Sequence, residues 1–215
     1  MRRSVIVVLF GLAASLSADA ETPQPQTPPL SAPTVTLKTR PSTGLSMGPK
    51  HMLLEKTTIY DVQKAARVGD VVHNHADAGN GMRWLCYTNV WTTPAERIWF
   101  TSHMEMGGPQ ANLMGVTAEL LPAGVATADR PALPKALTPL RLDNGLWLND
   151  PESSIGTAVG TSSPSDEEWQ QFGYAGKLRE SGACVPDGFD VLNGLAVRVR
   201  AGRVSFIVIY HVTSC

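Results

Sequence analysis

Two histidines in this 215-residue chain, His73 and His75, stand two apart. In an extended strand that spacing puts both imidazoles on one face. Asp77 follows closely, and His103-Met104-Glu105 offers further ligands from a second stretch. Imidazole nitrogens and carboxylates are ligand types that zinc accepts, and a site with an open position would activate water for hydrolysis. His73, His75 and His103 are thus the candidate metal ligands, and the loops from His73 to Glu105 the place where a metal-dependent or other hydrolase would work. The local setting argues the other way. Gly79 and Gly81 mark a polar loop, where His and Asn are commonplace without a metal. The expectation is no metal and no other cofactor.

Cys86 could serve as a nucleophile only with an activating base and an accessible position. It sits inside Leu85-Cys86-Tyr87-Thr88, a strand pattern in which a buried thiol is ordinary. The loop Thr161 to Asp166 follows a helix and contains no Gly-x-Ser-x-Gly elbow. No glycine-rich phosphate loop or dinucleotide fingerprint is present. These residues point to a non-enzymatic protein. Cys86, Cys184 and Cys215 allow three disulfide pairings. Cys184 lies in a loop and Cys215 ends the last strand of the same unit, so Cys184–Cys215 is the expected bridge, with Cys86 free and buried.

Elements must position these groups, and the chain supplies them unevenly. Arg2 and Arg3, the apolar run Val5 to Leu16 and Ala18-Asp19-Ala20 form a secretory signal with cleavage after Ala20. The apolar run is too short to span a bilayer, and none like it follows. No cysteine near the cleavage point offers a lipid anchor. Residues 1–20 are thus read as signal peptide, and the protein as periplasmic or secreted from a bacterial cell. Processing would remove Arg2, Arg3 and Asp19, leaving one more net negative charge than the −1 of the full chain. That balance excludes an electrostatic footprint for nucleic acid or an anionic membrane surface.

Residues 21–33 form a proline-rich tether, too polar to bury a core. Residues 34–121 form a first unit. Thr34 to Lys38 alternates as an edge strand does. Leu54 to Gly69 carries helical spacing at Ile59, Val62 and Ala66, with Thr57 or Thr58 as cap and Asp61 in the first turn. Strand patterns follow at Val71 to His73, Trp84 to Thr88, Arg97 to Ser102 and Leu113 to Leu120. Residues 122–139, rich in Ala and Pro, read as a linker. Residues 140–215 form a second unit. In it, Asp150, Pro151 and Glu152 open a helix that Gly160 closes, with Ile155 and Val159 on one face. Strands Trp169 to Tyr174, Val191 to Arg200 and Arg203 to Val212 come next, the last two joined at Ala201-Gly202. The two units run in parallel: helix, glycine, Trp-bearing strand, two more strands. The expected fold is α+β: two tandem helix-then-antiparallel-meander units forming one sheet with helices on one face.

The second unit resembles the beta-lactamase-inhibitor-protein-like fold, shared with the small lipoprotein subunit of the outer-membrane barrel-assembly machine. The residues that carry the resemblance are Gly145-Leu146-Trp147-Leu148, Ile155 to Gly160, Trp169 to Tyr174, and Val197 to Ile209 around Gly202. Asn149 stands where the family pattern has a glycine. The resemblance implies a tandem repeat whose helix-free sheet face takes a protein partner, as an inhibitor, an immunity protein or an envelope-assembly factor would. Trp84, Tyr87, Trp99 and Tyr174 are the expected contact residues, because alternation sends some strand aromatics to the open face. N-terminal sequencing of exported material should begin at Glu21, and recovery of the intact Met1 form from the cytoplasm would refute the signal reading.

Overall fold

The computed structural model describes residues 25, 35–74, 81–103, 107–125, 127, 129–161, 169–178 and 189–214. It corrects the expected fold class. Among the described residues the chain is mostly β, 49% strand against 12% helix, with eleven strands and two α-helices. Strand β1 spans Val35–Thr36, β2 Gly44–Met47, β3 Lys50–Leu53, β4 Val72–Asn74, β5 Met82–Asn89 and β6 Glu96–His103. Strand β7 spans Gly115–Leu120, β8 Leu140–Leu142, β9 Trp169–Leu178, β10 Phe189–Arg200 and β11 Arg203–Ser214. Helix α1 is Ile59–Ala66 and α2 is Ser153–Val159.

Eight strands form a mixed sheet in the order β1-β9-β10-β11-β7-β6-β5-β4. Every pairing is antiparallel except that of β1 with β9. The junction that joins the first half of the chain to the last is β7 with β11, from Phe206↔Glu119 to Tyr210↔Gly115. A second sheet, β3-β2-β8, is built from the stretch between the expected edge strand and helix of the first unit and from the start of the second unit. Its strands have three or four residues each and lie among Pro41, Gly48, Pro49 and Pro139. β2 pairs with β3 across the Gly48-Pro49 turn and with the distant β8, and local pattern shows little of the second pairing. The expected balance of two α+β units fails for this reason: short segments to which no strand was assigned add strands, while the helices stay at eight and seven residues.

One face of the large sheet is covered. Leu85, Tyr87, Ile98, Phe100, Val116, Leu195, Val197, Ile207 and Ile209 point to it and share one core with Ile59 and Val62 of α1 and Ile155 of α2. Leu45, Met47, Met52, Leu140 and Leu142 of the small sheet join the same core. Leu133 and Leu137, in the stretch read as a linker, are buried there too. Thr88 and Leu133 fix that stretch, with Thr88 N–H donating to the Pro131 carbonyl at 3.0 Å and Leu133 N–H to Thr88 at 2.8 Å.

Local chemistry sets the helix ends. Thr58 and Asp61 form a reciprocal capping box on α1. Arg67, rather than Gly69, takes the left-handed C-cap at φ 57°. Gly160 closes α2 at φ 72°. Asp150 does not cap α2: its carboxylate instead accepts the Trp147 N–H at 2.8 Å and pairs with Arg141.

A half-buried polar clasp ties the end of the small sheet to the end of β11. Glu55 accepts the Thr213 N–H at 2.7 Å, the Thr213 hydroxyl at 2.6 Å and faces His211 Nε2 at 3.2 Å. Burial alone would raise the Glu55 pKa, but the hydrogen bonds from His211 and Thr213 outweigh it and hold the carboxyl below its ordinary value. A carboxyl with a depressed folded pKa stabilises the fold above its unfolded pKa and loses that contribution as pH falls through the folded one. Glu55→Gln should therefore cost about 1–3 kcal/mol at pH 7. Urea unfolding at pH 7 and at pH 3 checks this, because the gap between the two proteins should narrow in acid. An equal gap at both pH values would refute it.

Candidate interaction surface

The other face of the large sheet carries neither helix and has its own chemistry. Cross-strand partners share a face, so the register defines rows across it. One row runs Thr88, Arg97, Glu119, Phe206, Arg198, Trp169. The Arg198 guanidinium lies 5.2 Å from the Trp169 ring centre and 5.1 Å from that of Phe206. The two rings meet edge to face at 5.2 Å, so the cation is held against both. Arg97 pairs with Asp129 at 3.1 Å and approaches Glu119 at 4.0 Å. Burial raises the Glu119 pKa against the pull of Arg97 and Arg198.

The next row holds Cys86, Trp99, Thr117, Val208 and Ala196. Trp84, Cys86 and Trp99 form a packed cluster in which the tryptophans are 4% and 1% exposed. Two of the expected contact residues thus stand on the helix-free face, but buried within it. Tyr87 points the opposite way, into the core, where its hydroxyl donates to the Val68 carbonyl at 2.9 Å. Tyr174 shares the covered side with Phe172, is half-buried, and lies 5.9 Å beneath the Arg40 guanidinium. The structure brings Trp84 and Trp99 together and leaves Tyr87 and Tyr174 apart from them.

The third row is Trp84, Thr101, Gly115, Tyr210, Gly194, Gly173. Here the face opens. Tyr210 is 40% exposed, and its ring lies so close over Gly194 that a Cβ there would overlap it. Leu192, on the same face and diagonal to Tyr210, is 48% exposed. Together they leave an apolar ledge over the buried glycines of this row, with the Tyr210 ring lying on Gly194. Burial raises the Tyr210 pKa, so the phenol stays neutral and can donate. Gly194 opposite Tyr210 was the available signal. A glycine in a strand interior marks close approach of another group. A second exposed aromatic, Trp91, stands in the β5–β6 turn at 51%, pinned by its indole N–H to the Leu133 carbonyl at 2.7 Å. Its signal was an apolar pair, Val90-Trp91, inside a turn.

The histidine set is divided. His73 pairs with Arg83 and His103 with Met82, adjacent residues of one strand, so the two imidazoles lie on opposite faces of the sheet. His75 and Glu105 fall outside the described residues, and no group of three or more metal-ligating side chains occurs among the described ones. Cys86 is a free, buried thiol whose pKa burial pushes up to about 12. That is the opposite of nucleophile activation. Cys184 and Cys215 lie outside the described residues.

Gly44-Leu45-Ser46-Met47-Gly48 carries the Gly-x-Ser-x-Gly spacing, a signal the reading of the Thr161 loop passed by. Ser46 is the cross-strand neighbour of His51 on one side and Arg141 on the other. His51 Nε2 meets Asp143 Oδ1 at 2.8 Å. The residue types are those of a hydrolytic triad. The geometry differs at two points. Ser46 lies inside β2 rather than on a strand-to-helix elbow, and its hydroxyl makes no hydrogen bond to His51. No helix among the described residues is long and apolar enough to cross a membrane.

Compared with family models, with curated proteins and with solved structures, the chain matches none. The resemblance noted above rests on its residues alone. An alkyl fluorophosphonate probe should leave Ser46 unlabelled, as mass mapping would show. Labelling that disappears in Ser46→Ala would make the Ser46–His51–Asp143 group an active site.

Proposed function

We propose that the chain is a non-enzymatic binding module that acts outside the cytoplasm and takes a protein partner on the helix-free sheet face. The observation that carries this reading is the ledge of Tyr210 and Leu192, two large exposed side chains side by side on the helix-free face. Large amphipathic aromatics on a firm scaffold are the residues that anchor protein interfaces. The neighbouring rows support the ledge from within: the buried Trp84–Trp99 cluster and the Trp169–Arg198–Phe206 stack fix the sheet that presents it. Trp84 and Trp99 thus hold the face together, and the contact itself falls to Tyr210 and Leu192. Separated histidines and a thiol with a raised pKa favour binding over catalysis. The signal-like N-terminus supports export.

Site-specific photo-crosslinking from position 192, in extracts of the compartment that holds the protein, should capture one partner reproducibly. Tyr210→Ala should then weaken binding to that partner by at least about 2 kcal/mol. Trp99→Ala should act on the fold instead, costing roughly 3–5 kcal/mol in urea unfolding. If Tyr210→Ala binds as tightly as the parent protein, the contact lies elsewhere and this reading fails.

A further inference from the structure

A cleft of about 580 Å³ lies between β3 and α1 and is lined by Lys50, His51, Lys56, Asp61, Lys64 and Arg67 among others. Four permanent cations thus converge on one hollow of a chain whose net charge is −1. Asp61, the carboxylate in the lining, feels the Lys64 charge but takes its hydrogen bonds from Thr58. It accepts from the Thr58 N–H at 3.0 Å and the Thr58 hydroxyl at 2.7 Å, and Asp143 is engaged by His51. Glu55, next to Lys56 in sequence, belongs to the Thr213–His211 clasp. Lys50, Lys56, Lys64 and Arg67 themselves form no salt bridge among the described residues.

The floor of the cleft adds a second feature. β3 is an edge strand, paired with β2 alone. The Leu54 N–H donates to the Thr43 carbonyl at 2.9 Å, which fixes the alternation of the ladder. Residues 52 and 50 therefore point their main-chain groups at β2, and His51 points its N–H and C=O away from it. Consecutive residues Lys50, His51 and Met52 all line the hollow, as a strand does when its edge faces inward.

We propose that this cleft binds an acidic peptide segment of a partner in extended form, its backbone meeting His51 and its carboxylates meeting Lys50, Lys56, Lys64 and Arg67. Adding a strand to a sheet edge is an established mode of peptide capture. Pro49 and the lysines keep the edge from pairing indiscriminately, and only a strand carrying negative charge neutralises them. A near-neutral chain, with net charge −1, supplies no extended positive surface for a long polyanion or an anionic bilayer. This surface is separate from the Tyr210 ledge and does not depend on it.

The test uses a fluorescein-labelled octaglutamate peptide and fluorescence anisotropy at low salt. The protein should bind it saturably, and binding should weaken as NaCl rises. The triple variant K50Q/K56Q/K64Q should lose about tenfold in affinity. Its melting temperature should not move, because all three side chains are exposed. A control variant, Tyr210→Ala, should bind the peptide as the parent protein does. The same peptide with alternate backbone nitrogens methylated should bind more weakly, which a purely ionic patch would not produce. Absence of saturable binding, or unchanged binding by the triple variant, would overturn the proposal. So would tighter binding, lost in the same variant, of a 20-mer single-stranded oligonucleotide or a phosphatidylglycerol vesicle.

Discussion

The architecture depends on the pairing of β7 with β11. Five residue pairs, from Phe206↔Glu119 to Tyr210↔Gly115, join a sheet edge made early in the chain to one made at its end. Without that ladder β5-β6-β7 and β9-β10-β11 would be two separate meanders, each with an exposed edge. With it the inner residues of both become neighbours, and Val116 and Ala118 join one core with Ile207 and Ile209. A larger single core buries a greater fraction of its surface than two small ones. The same pairing brings Glu119 and Arg97 into line with Phe206 and Arg198, so the charged and aromatic belt of the helix-free face exists only because the halves are fused.

That fusion leaves the two faces closed in different ways. The inner face is closed by α1, α2 and the small sheet. On the outer face large side chains close over one another: Trp99 beside Cys86, Phe206 against Trp169 and Arg198. Closure of this kind ends where the row changes to glycine. At Gly173 and Gly194 there are no side chains to fill the surface, and Tyr210 folds over the gap with one side of its ring still open to solvent. The ledge is thus a consequence of where glycine falls in β9 and β10.

Much of this was legible in the sequence at the level of single elements. The strand patterns between Val71 and Val212 coincide with β4 to β7 and β9 to β11, because period-2 alternation is a local property. The hairpin at Ala201-Gly202 is present, with both residues at positive φ. Thr58 and Asp61 announced α1. The small sheet was not legible, since Gly44 to Met47 and Lys50 to Leu53 contain few residues and sit among prolines and glycines. Gly44 to Met47 also takes a distant partner, with Leu45 facing Leu142 nearly a hundred residues away. Counting these short strands shifts the class from α+β to mostly β. Exposure was legible only in part. Alternation says which residues of one strand share a face, but it cannot say which rings of neighbouring strands bury each other. Tyr210 differs from Trp99 because its cross-strand neighbours are Gly115 and Gly194 instead of Thr117 and Cys86.

The two surfaces differ in what each can contribute to association. The Tyr210 ledge is apolar and rigid, so its contribution is desolvation and shape, which lengthen the lifetime of a complex. The β3–α1 cleft is charged and exposed, so its contribution is steering and selection of sign, which act on encounter and weaken with salt. They also lie on opposite sides of the large sheet, since α1 and the small sheet cover the inner face and Tyr210 stands on the outer one. A small rigid partner cannot touch both at once. A partner with a folded body and a flexible acidic tail can, with the tail reaching around to the far side at an effective concentration set by its length. Neither surface then needs to be tight alone, which fits a ledge of only two large exposed side chains and a cleft whose cations are open to solvent.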